Sequence, residues 1–398
     1  MTQTDEEFRA EARAWLEEHL SGEFAALKGL GGPGSEHVAH AERRGWDRHL
    51  AEHGWTCVGW PEEHGGRGLS LAQQVIWHEE YARAEAPARV NHLGEELLGP
   101  TLIAFGTSEQ QERFLPRIRA VDELWCQGYS EPGAGSDLAA VSTKARLVST
   151  SSTTEPEWVV DGQKVWTSMA HDADWIFVIA RTEPGSRLHQ GLSFLLVPMD
   201  QPGVEVRPIR QITGTSEFNE VFFTGARTAK DLVVGEPGDG WRVAMALLGF
   251  ERGVSTLGQQ LGFRRELGQV VATARRTGTY DDPVVRDRLA QAAVGLEVMR
   301  SNALRILSEN LRGEGAARGQ DNVAKLVWAD WHKHLGELAM EVQGSAGLVA
   351  EEDGLTESQR LFLFTRADTI YGGSDEVQRT IIAERVLGLP REPRGTST

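Results

Sequence analysis

Cysteine is almost absent from the chain: Cys57 and Cys126 are its two cysteines in 398 residues. They form no CxxC pair and no metal-ligand spacing. That excludes a disulfide scaffold and fits a reducing intracellular compartment. No apolar run approaches the roughly 20 residues that a membrane-spanning helix needs. Positive charge is also in short supply. Lys and Arg number 41 against 58 Asp and Glu, a formal net charge of -17. Nucleic acid and an anionic membrane are therefore poor candidates for the main partner, although a local basic pocket could still hold an anionic ligand. The opening residues, MTQTDEEFRAEARAW, lack the basic and apolar regions of a secretory signal. The protein reads as cytoplasmic. Internal repeats and low-complexity tracts are missing as well.

What is present is ordinary soluble material, 40% hydrophobic and 25% charged, in a chain too long for one simple core. The first third is helical in character. Thr4 and Glu7 form a capping box, with Phe8, Ala12, Trp15, Leu16 and Leu20 following on one helical face. Helical patterns return at 37–53, 70–85 and 90–120. From about residue 124 the texture turns to β-rich runs, among them WIFVIAR at 175–181 and LSFLLVP at 192–198. The Asp161-Gly162 pair between two such runs predicts a hairpin. From Gly240 the helical period resumes over 240–275, 283–313, 320–345, 356–369 and 374–386, before a tail, REPRGTST, expected to be disordered. The order is an α+β arrangement without βαβ units: a helical domain over 1–123, a β-barrel over 124–238 and a helix bundle over 239–398.

Three patterns mislead. GLGGPG at 29–34 matches the dinucleotide fingerprint, but EFAALK before it looks helical and Pro33 breaks the helix that should follow. It reads as a surface loop. His78-Glu79-Glu80 lacks a second histidine at helical spacing, and His332 and His334 are two apart. No metal site is expected from either.

The chemistry concentrates in QGYSEPGAGSDLAA, 127–140. Its glycines and proline would break a helix or weaken a strand, while its hydroxyls and backbone N–H groups suit a loop that approaches a flavin or a pyrophosphate. A turn leading into the β domain would explain it equally well on its own. It is not alone. GQKVWTS at 162–168, PIRQITGTSEFNEVFF at 208–223, GDGWRVAMALLGFERG at 238–253 and YGGSDEVQRTIIAERVLGLP at 371–390 follow in order. Together these five segments resemble the acyl-CoA dehydrogenase family, over nearly the whole chain, with Tyr129 where an aliphatic residue is usual.

The resemblance implies an N-terminal helical domain, a central β-barrel and a C-terminal four-helix bundle that bind FAD and an acyl-CoA. Ser130 would contact the flavin pyrimidine. Ser136 would lie by the FAD phosphates and the pantetheine arm. Trp166 would cover the isoalloxazine, unless it is a core residue, and Ser168 would hydrogen-bond flavin N5. Gly344, Ser374 and Glu376 belong to segments similar to further FAD-binding parts. The family's R-x-x-F-G, which reaches a neighbouring subunit's FAD, is not intact in ATARRTGTYDDP, where Arg275 or Arg276 could substitute. Some heteromeric members show the same loss and complete the site with a different subunit.

The family's usual base follows the tyrosine of Y-E-G-T, but the residue after Tyr371 is Gly372. Glu376 does not align with the base. In isovaleryl-type and some steroid side-chain members the glutamate sits in the bundle, followed by arginine, and GFERG here offers Glu251 and Arg252. Glu251 is the implied base, with a solvated helix residue as its plain alternative, and Arg252 would line the CoA channel. Gly372 would leave room for a branched or bulky acyl group. The implied reaction is α,β-dehydrogenation to a trans-2-enoyl thioester, with electrons passed to electron-transfer flavoprotein, in a homotetramer or a hetero-oligomer with a related subunit. The rivals are a subunit with an incomplete FAD site, and a carrier-protein-linked dehydrogenase or oxidase.

Overall fold

The computed structural model describes residues 3–149, 155–250, 255–311, 320–349 and 354–391. The chain divides into two compact units, Met1–Gln74 with Ala84–Gly253, and Val75–Arg83 with Val254–Thr398.

In the first unit, α1 (Asp5–His19) opens at the expected box. Thr4 Oγ1 accepts from Glu7 N at 3.3 Å and the Glu7 carboxylate accepts from Thr4 N at 2.8 Å. Its Phe8, Ala12 and Leu16 are buried. Next come α2 (His40–Glu52), α3 (Leu71–Arg83), α4 (Gly99–Phe105) and α5 (Ser108–Arg119). The 29–34 loop lies between a 3-10 turn, Gly22–Leu27, and α2, with no strand before it. Gly31 has φ +81, and a Cβ there would meet the Arg43 guanidinium at 2.3 Å. The glycine makes room for Arg43, which donates to the carbonyls of Ala88, Glu36 and Val38.

Among the described residues, eight strands form one sheet: β1 (Trp125–Gly128), β2 (Lys144–Val148), β3 (Glu157–Ser168), β4 (Trp175–Arg181), β5 (Leu192–Pro198), β6 (Val204–Ile209), β7 (Phe218–Ala229) and β8 (Val233–Val234). Their order is β6-β7-β3-β2-β4-β5-β8, with β1 parallel to β4. The sheet curls, and Thr228 of β7 donates its hydroxyl to the Leu196 carbonyl of β5. Strands β4 and β5 are buried on both faces, which is why their sequences lack alternation. Phe177, Ile179, Phe194 and Leu196 face α4, α5 and α6 (Gly240–Phe250), while Ile176, Val178, Leu195 and Val197 fill the interior of the curl.

The hairpin predicted at Asp161-Gly162 does not form. β3 runs unbroken through the pair, and the register against β7 shifts between Val160 and Asp161. Gly162 has φ +153 and packs where a Cβ would meet Thr143 at 2.5 Å, and Asp161 accepts from Gly225 N at 2.7 Å. The pair makes a β-bulge, another feature that favours glycine.

In the second unit, α7 (Ser255–Thr277), α8 (Pro283–Leu311), α9 (Gln320–Glu341) and α10 (Glu357–Phe364) form a helix bundle, followed by α11 (Asp375–Ile381). Phe263, Leu267 and Val270 of α7, Leu289 and Leu296 of α8, and Leu335 and Leu338 of α9 make its core. The helical stretch predicted over 240–275 is therefore two helices in different units. Val75–Arg83, the greater part of α3, belongs here rather than to the first unit, and its buried Glu79 accepts from Arg300 at 2.9 Å. Residues 392–398 of the tail lie outside the described residues. Among those described, no helix is long and apolar enough to cross a membrane.

Candidate active site

The loop after β1 is organised by one carboxylate. Glu131 accepts from Ser142 N and Oγ, each at 2.7 Å, from Thr143 N at 2.9 Å and from Lys164 Nζ at 2.8 Å. Lys164 is fully buried and also donates to the Tyr129 carbonyl at 3.1 Å. Burial alone would raise the carboxyl of Glu131, but the Lys164 charge and the converging donors bring it down to about 2. Burial likewise pushes Lys164 down to about 8, against the pull of Glu131. Both residues sit in the segments singled out from the sequence, yet neither was assigned a role. This pair closes the loop across β3 and so sets the position of Ser130. Ser136 is exposed farther along the same loop.

Beside that anchor, β3 departs from the ladder. Its register with β7 shifts between Lys164 and Thr167, and Val165 N donates instead to the Ser130 carbonyl at 2.9 Å. Trp166, in this second bulge, has φ +61 and is 58% exposed. A bulky residue in left-handed backbone is strained, and such strain collects at functional sites. Bulges re-aim side chains. The Phe218 ring meets the indole edge-on at 6.2 Å and 82°, and Ser168 pairs with Phe218 across β7. Ser130, Trp166 and Ser168 are thereby brought together. The buried Thr167 Oγ1 has no hydrogen-bond partner among the described residues.

The second unit holds Gly372, Ser374, Glu376, Arg275 and Gly344, in two places. Gly372 and Gly373 have φ +63 and +88, and Gln378 Nε2 donates to the Gly372 carbonyl at 3.1 Å. A Cβ on Gly372 would meet nothing within 4 Å. Ser374 caps α11, its hydroxyl accepting from Val377 N at 3.4 Å, and Glu376 is exposed in the first turn. Beneath these glycines runs a network no motif announced. Buried Asp368 accepts from Tyr371 Oη and pairs with His332 Nδ1, each at 2.7 Å, and Lys325 Nζ donates to its carbonyl at 2.6 Å. His332 Nε2 pairs with Glu266 at 2.8 Å. Burial opposes charge on His332, but the two carboxylates outweigh it and lift the imidazole to about 9. His334 is exposed and bonds the Asp330 carbonyl, so the two histidines share no ligand.

Arg275 and Gly344 stand elsewhere. Arg275 lies over the Tyr280 ring at 5.2 Å, and Thr277 Oγ1 donates to the Val342 carbonyl at 2.8 Å, joining the ends of α7 and α9. Lys325, which reaches Asp375 at 3.5 Å, is near the other end of α9, roughly 25 Å away at 1.5 Å per residue. Within one chain Arg275 and Gly344 are thus not neighbours of the Gly372 turn. Glu251 and Arg252 lie outside the described residues.

Comparison with known proteins decides the family. Models of the acyl-CoA dehydrogenase N-terminal, middle and C-terminal domains match residues 2–122, 126–226 and 238–387. The chain belongs to the acyl-CoA dehydrogenase family. It is 66% identical to acyl-CoA dehydrogenase IpdE1 of Mycobacterium tuberculosis over 98% of this chain and 99% of that one. Among solved structures, the Tcur3481-Tcur3483 steroid ACAD is 31% identical with a TM-score of 0.82, covering 98% of each chain. The ChsE4-ChsE5 complex of Mycobacterium tuberculosis is 30% identical with a TM-score of 0.80, covering 98% of this chain and 99% of that one.

Acyl-CoA dehydrogenases are FAD-dependent flavoproteins, and the first unit offers residues that fit the cofactor. An indole held out from the sheet is an apolar plane suited to stacking on a flavin. The hydroxyls of Ser130 and Ser168 lie on the segments joined beside it, and Thr167 Oγ1 is a buried polar atom still lacking a partner among the described residues.

Proposed function

We propose that this acyl-CoA dehydrogenase oxidises a bulky, steroid-type acyl-CoA, with Glu251 as the base that removes the α-proton. The observation that carries the reading is the paired exchange: Glu251 stands in GFERG, while Gly372 occupies the usual base position in left-handed backbone with open space where a side chain would start. The likeness to a steroid ACAD supports the acyl class.

When bound, FAD would supply the acceptor for the hydride leaving the β-carbon, and an electron-transfer flavoprotein is the expected oxidant of the reduced enzyme. The chain's own part is positioning and proton transfer. Trp166 would cover the ring and exclude water, Ser168 would hydrogen-bond N5, and Ser130, held by the Val165 and Glu131 contacts, would meet the pyrimidine. Ser136 serves the phosphates and pantetheine. Glu251 takes the α-proton once hydrogen bonds to the thioester carbonyl have made it acidic, and Arg252 adds positive charge for the CoA phosphates. Ser374, Glu376, Gly344 and Arg275 would complete FAD sites, the last two on a neighbouring subunit's cofactor. The buried free thiols of Cys57 and Cys126 suit a reducing, cytoplasmic setting. Assembly with a related subunit is favoured by the missing R-x-x-F-G and by the likeness to the ChsE4-ChsE5 complex.

Anaerobic flavin absorbance tests the chemistry. Wild type should bleach with a steroid-type acyl-CoA and not with straight short chains. Glu251→Gln should keep its FAD and bleach at least a thousandfold more slowly. An equally fast variant would remove Glu251 from the mechanism, and bleaching by short straight chains alone would remove the bulky substrate.

A further inference from the structure

Three histidines meet on the N-terminal helices, away from every residue assigned above. His19 ends α1, His49 lies in the last turn of α2, and His53 caps α2 one turn later. One nitrogen from each ring lies within 4.8 Å of the others. The i, i+4 spacing of His49 and His53 was available in the sequence, but their third partner comes from another helix.

We propose that His19, His49 and His53 form a binding site for a transition-metal dication of the zinc type, tying α1 to α2. The ring chemistry is arranged for it. His53 Nδ1 is 2.8 Å from the His49 carbonyl. A carbonyl only accepts, so Nδ1 carries the proton and Nε2 keeps its lone pair for a metal. His19 Nδ1 and His49 Nε2 are 2.8 Å apart, so one donates to the other in the metal-free protein. Two imidazoles on one tetrahedral zinc, with Zn–N bonds of about 2.0–2.1 Å, place their nitrogens about 3.3 Å apart. The pair must open by about half an ångström, and the donor ring must hold its proton on its other nitrogen. The third nitrogen, within 4.8 Å of the others, must also close toward that separation, so the three rings rotate on binding.

The surroundings hold the rings in place. Trp15 stacks on His19 at 4.3 Å, Trp46 stacks on His49 at 5.7 Å, and the His49 and His53 rings are 4.3 Å apart. Aromatic walls fix the imidazoles without offering competing ligands. All-nitrogen donors select zinc, copper, nickel or cobalt over magnesium or calcium. His53 is exposed, which leaves a coordination position for water and a path for the ion. Metal here serves the fold, because no residue of the proposed catalytic machinery is involved.

The test is calorimetric titration of ZnCl2 into tag-free, full-length flavoprotein, with thermal denaturation alongside. Wild type should bind one zinc per chain and gain thermal stability from it. His53→Gln, an exposed change that should leave the fold intact, should weaken binding about tenfold or more and lose the zinc-dependent gain. His19→Gln should do the same, and both variants should keep wild-type flavin reduction by substrate. No zinc at one equivalent, or equal binding by His53→Gln and wild type, would overturn the site.

Discussion

At the scale of single residues, the chemistry legible in the sequence was the exposed kind. SEPGAGSD drew notice for its hydroxyls and glycines, and VWTS for its indole, because those residue types act on ligands. The residues that place them, Glu131 and Lys164, are 33 positions apart, and nothing in a linear reading pairs them. Removing one partner of a buried ion pair leaves an uncompensated charge and costs about 3–5 kcal/mol. Glu131→Gln should therefore lower the unfolding free energy of the first unit by that order in urea titration. It should also loosen FAD, since Ser130 and the 131–143 loop lose their anchor. Adding Lys164→Met should restore much of the stability but not the FAD affinity, which separates packing from positioning. The pair also carries an acid limit. Glu131 in the fold ionises near pH 2, below its ordinary value of 4.5, so its contribution is complete above about pH 4.5 and fades as pH falls toward 2.

Elements were legible in proportion to their periodicity. α1 was predicted to the residue at its cap, and the doubly buried β4 and β5 announced themselves as continuous apolar runs. Asp161-Gly162 misled because a bulge and a hairpin draw on the same residues, and only the partner strand, β7, distinguishes them. The network under the Gly372 turn was invisible for another reason: Glu266, His332 and Asp368 come from α7, α9 and the segment after α10, and their patterns are those of ordinary helices. It yields a prediction about the bundle. His332 titrates near 9 in the fold against an ordinary 6.5. Its contribution is therefore fully present below about pH 6.5 and is lost as pH rises through 9. At one pKa unit per 1.36 kcal/mol, with Glu266 one-third exposed, that loss is on the order of 2–3 kcal/mol. Thermal denaturation of wild type should show stability falling between pH 7 and about 9.5. His332→Gln should be less stable at pH 7 and nearly flat over that window; an unchanged slope would mean that His332 is neutral in the fold.

For the whole molecule, the order helices, sheet, helices was readable because each third keeps one period throughout. Assembly was not, because a contact between chains leaves no period in one of them. The bundle carries the relevant surface. Val294 and Val298 on α8, and Val323 and Val327 on α9, are each an i, i+4 pair and each exposed in the single chain. Exposed apolar pairs on long helices are places where another chain would bury surface. The proposal that Arg275 and Gly344 serve a neighbour's cofactor ties that covering to FAD. Replacing Val294 and Val298 with lysine places two charges on one such face and should prevent association. Size-exclusion chromatography with simultaneous 280 and 450 nm detection reads both consequences. The variant should elute as a smaller species and carry less than half the flavin of wild type, while its far-ultraviolet circular dichroism stays unchanged. If the smaller species keeps one FAD per chain, the cofactor site is complete within a single chain, and the missing R-x-x-F-G has been replaced from inside it. If wild type alone carries no FAD and gains it on co-expression with a related subunit, the neighbour that completes the site is a different chain, and Arg275 serves a cofactor held by that partner.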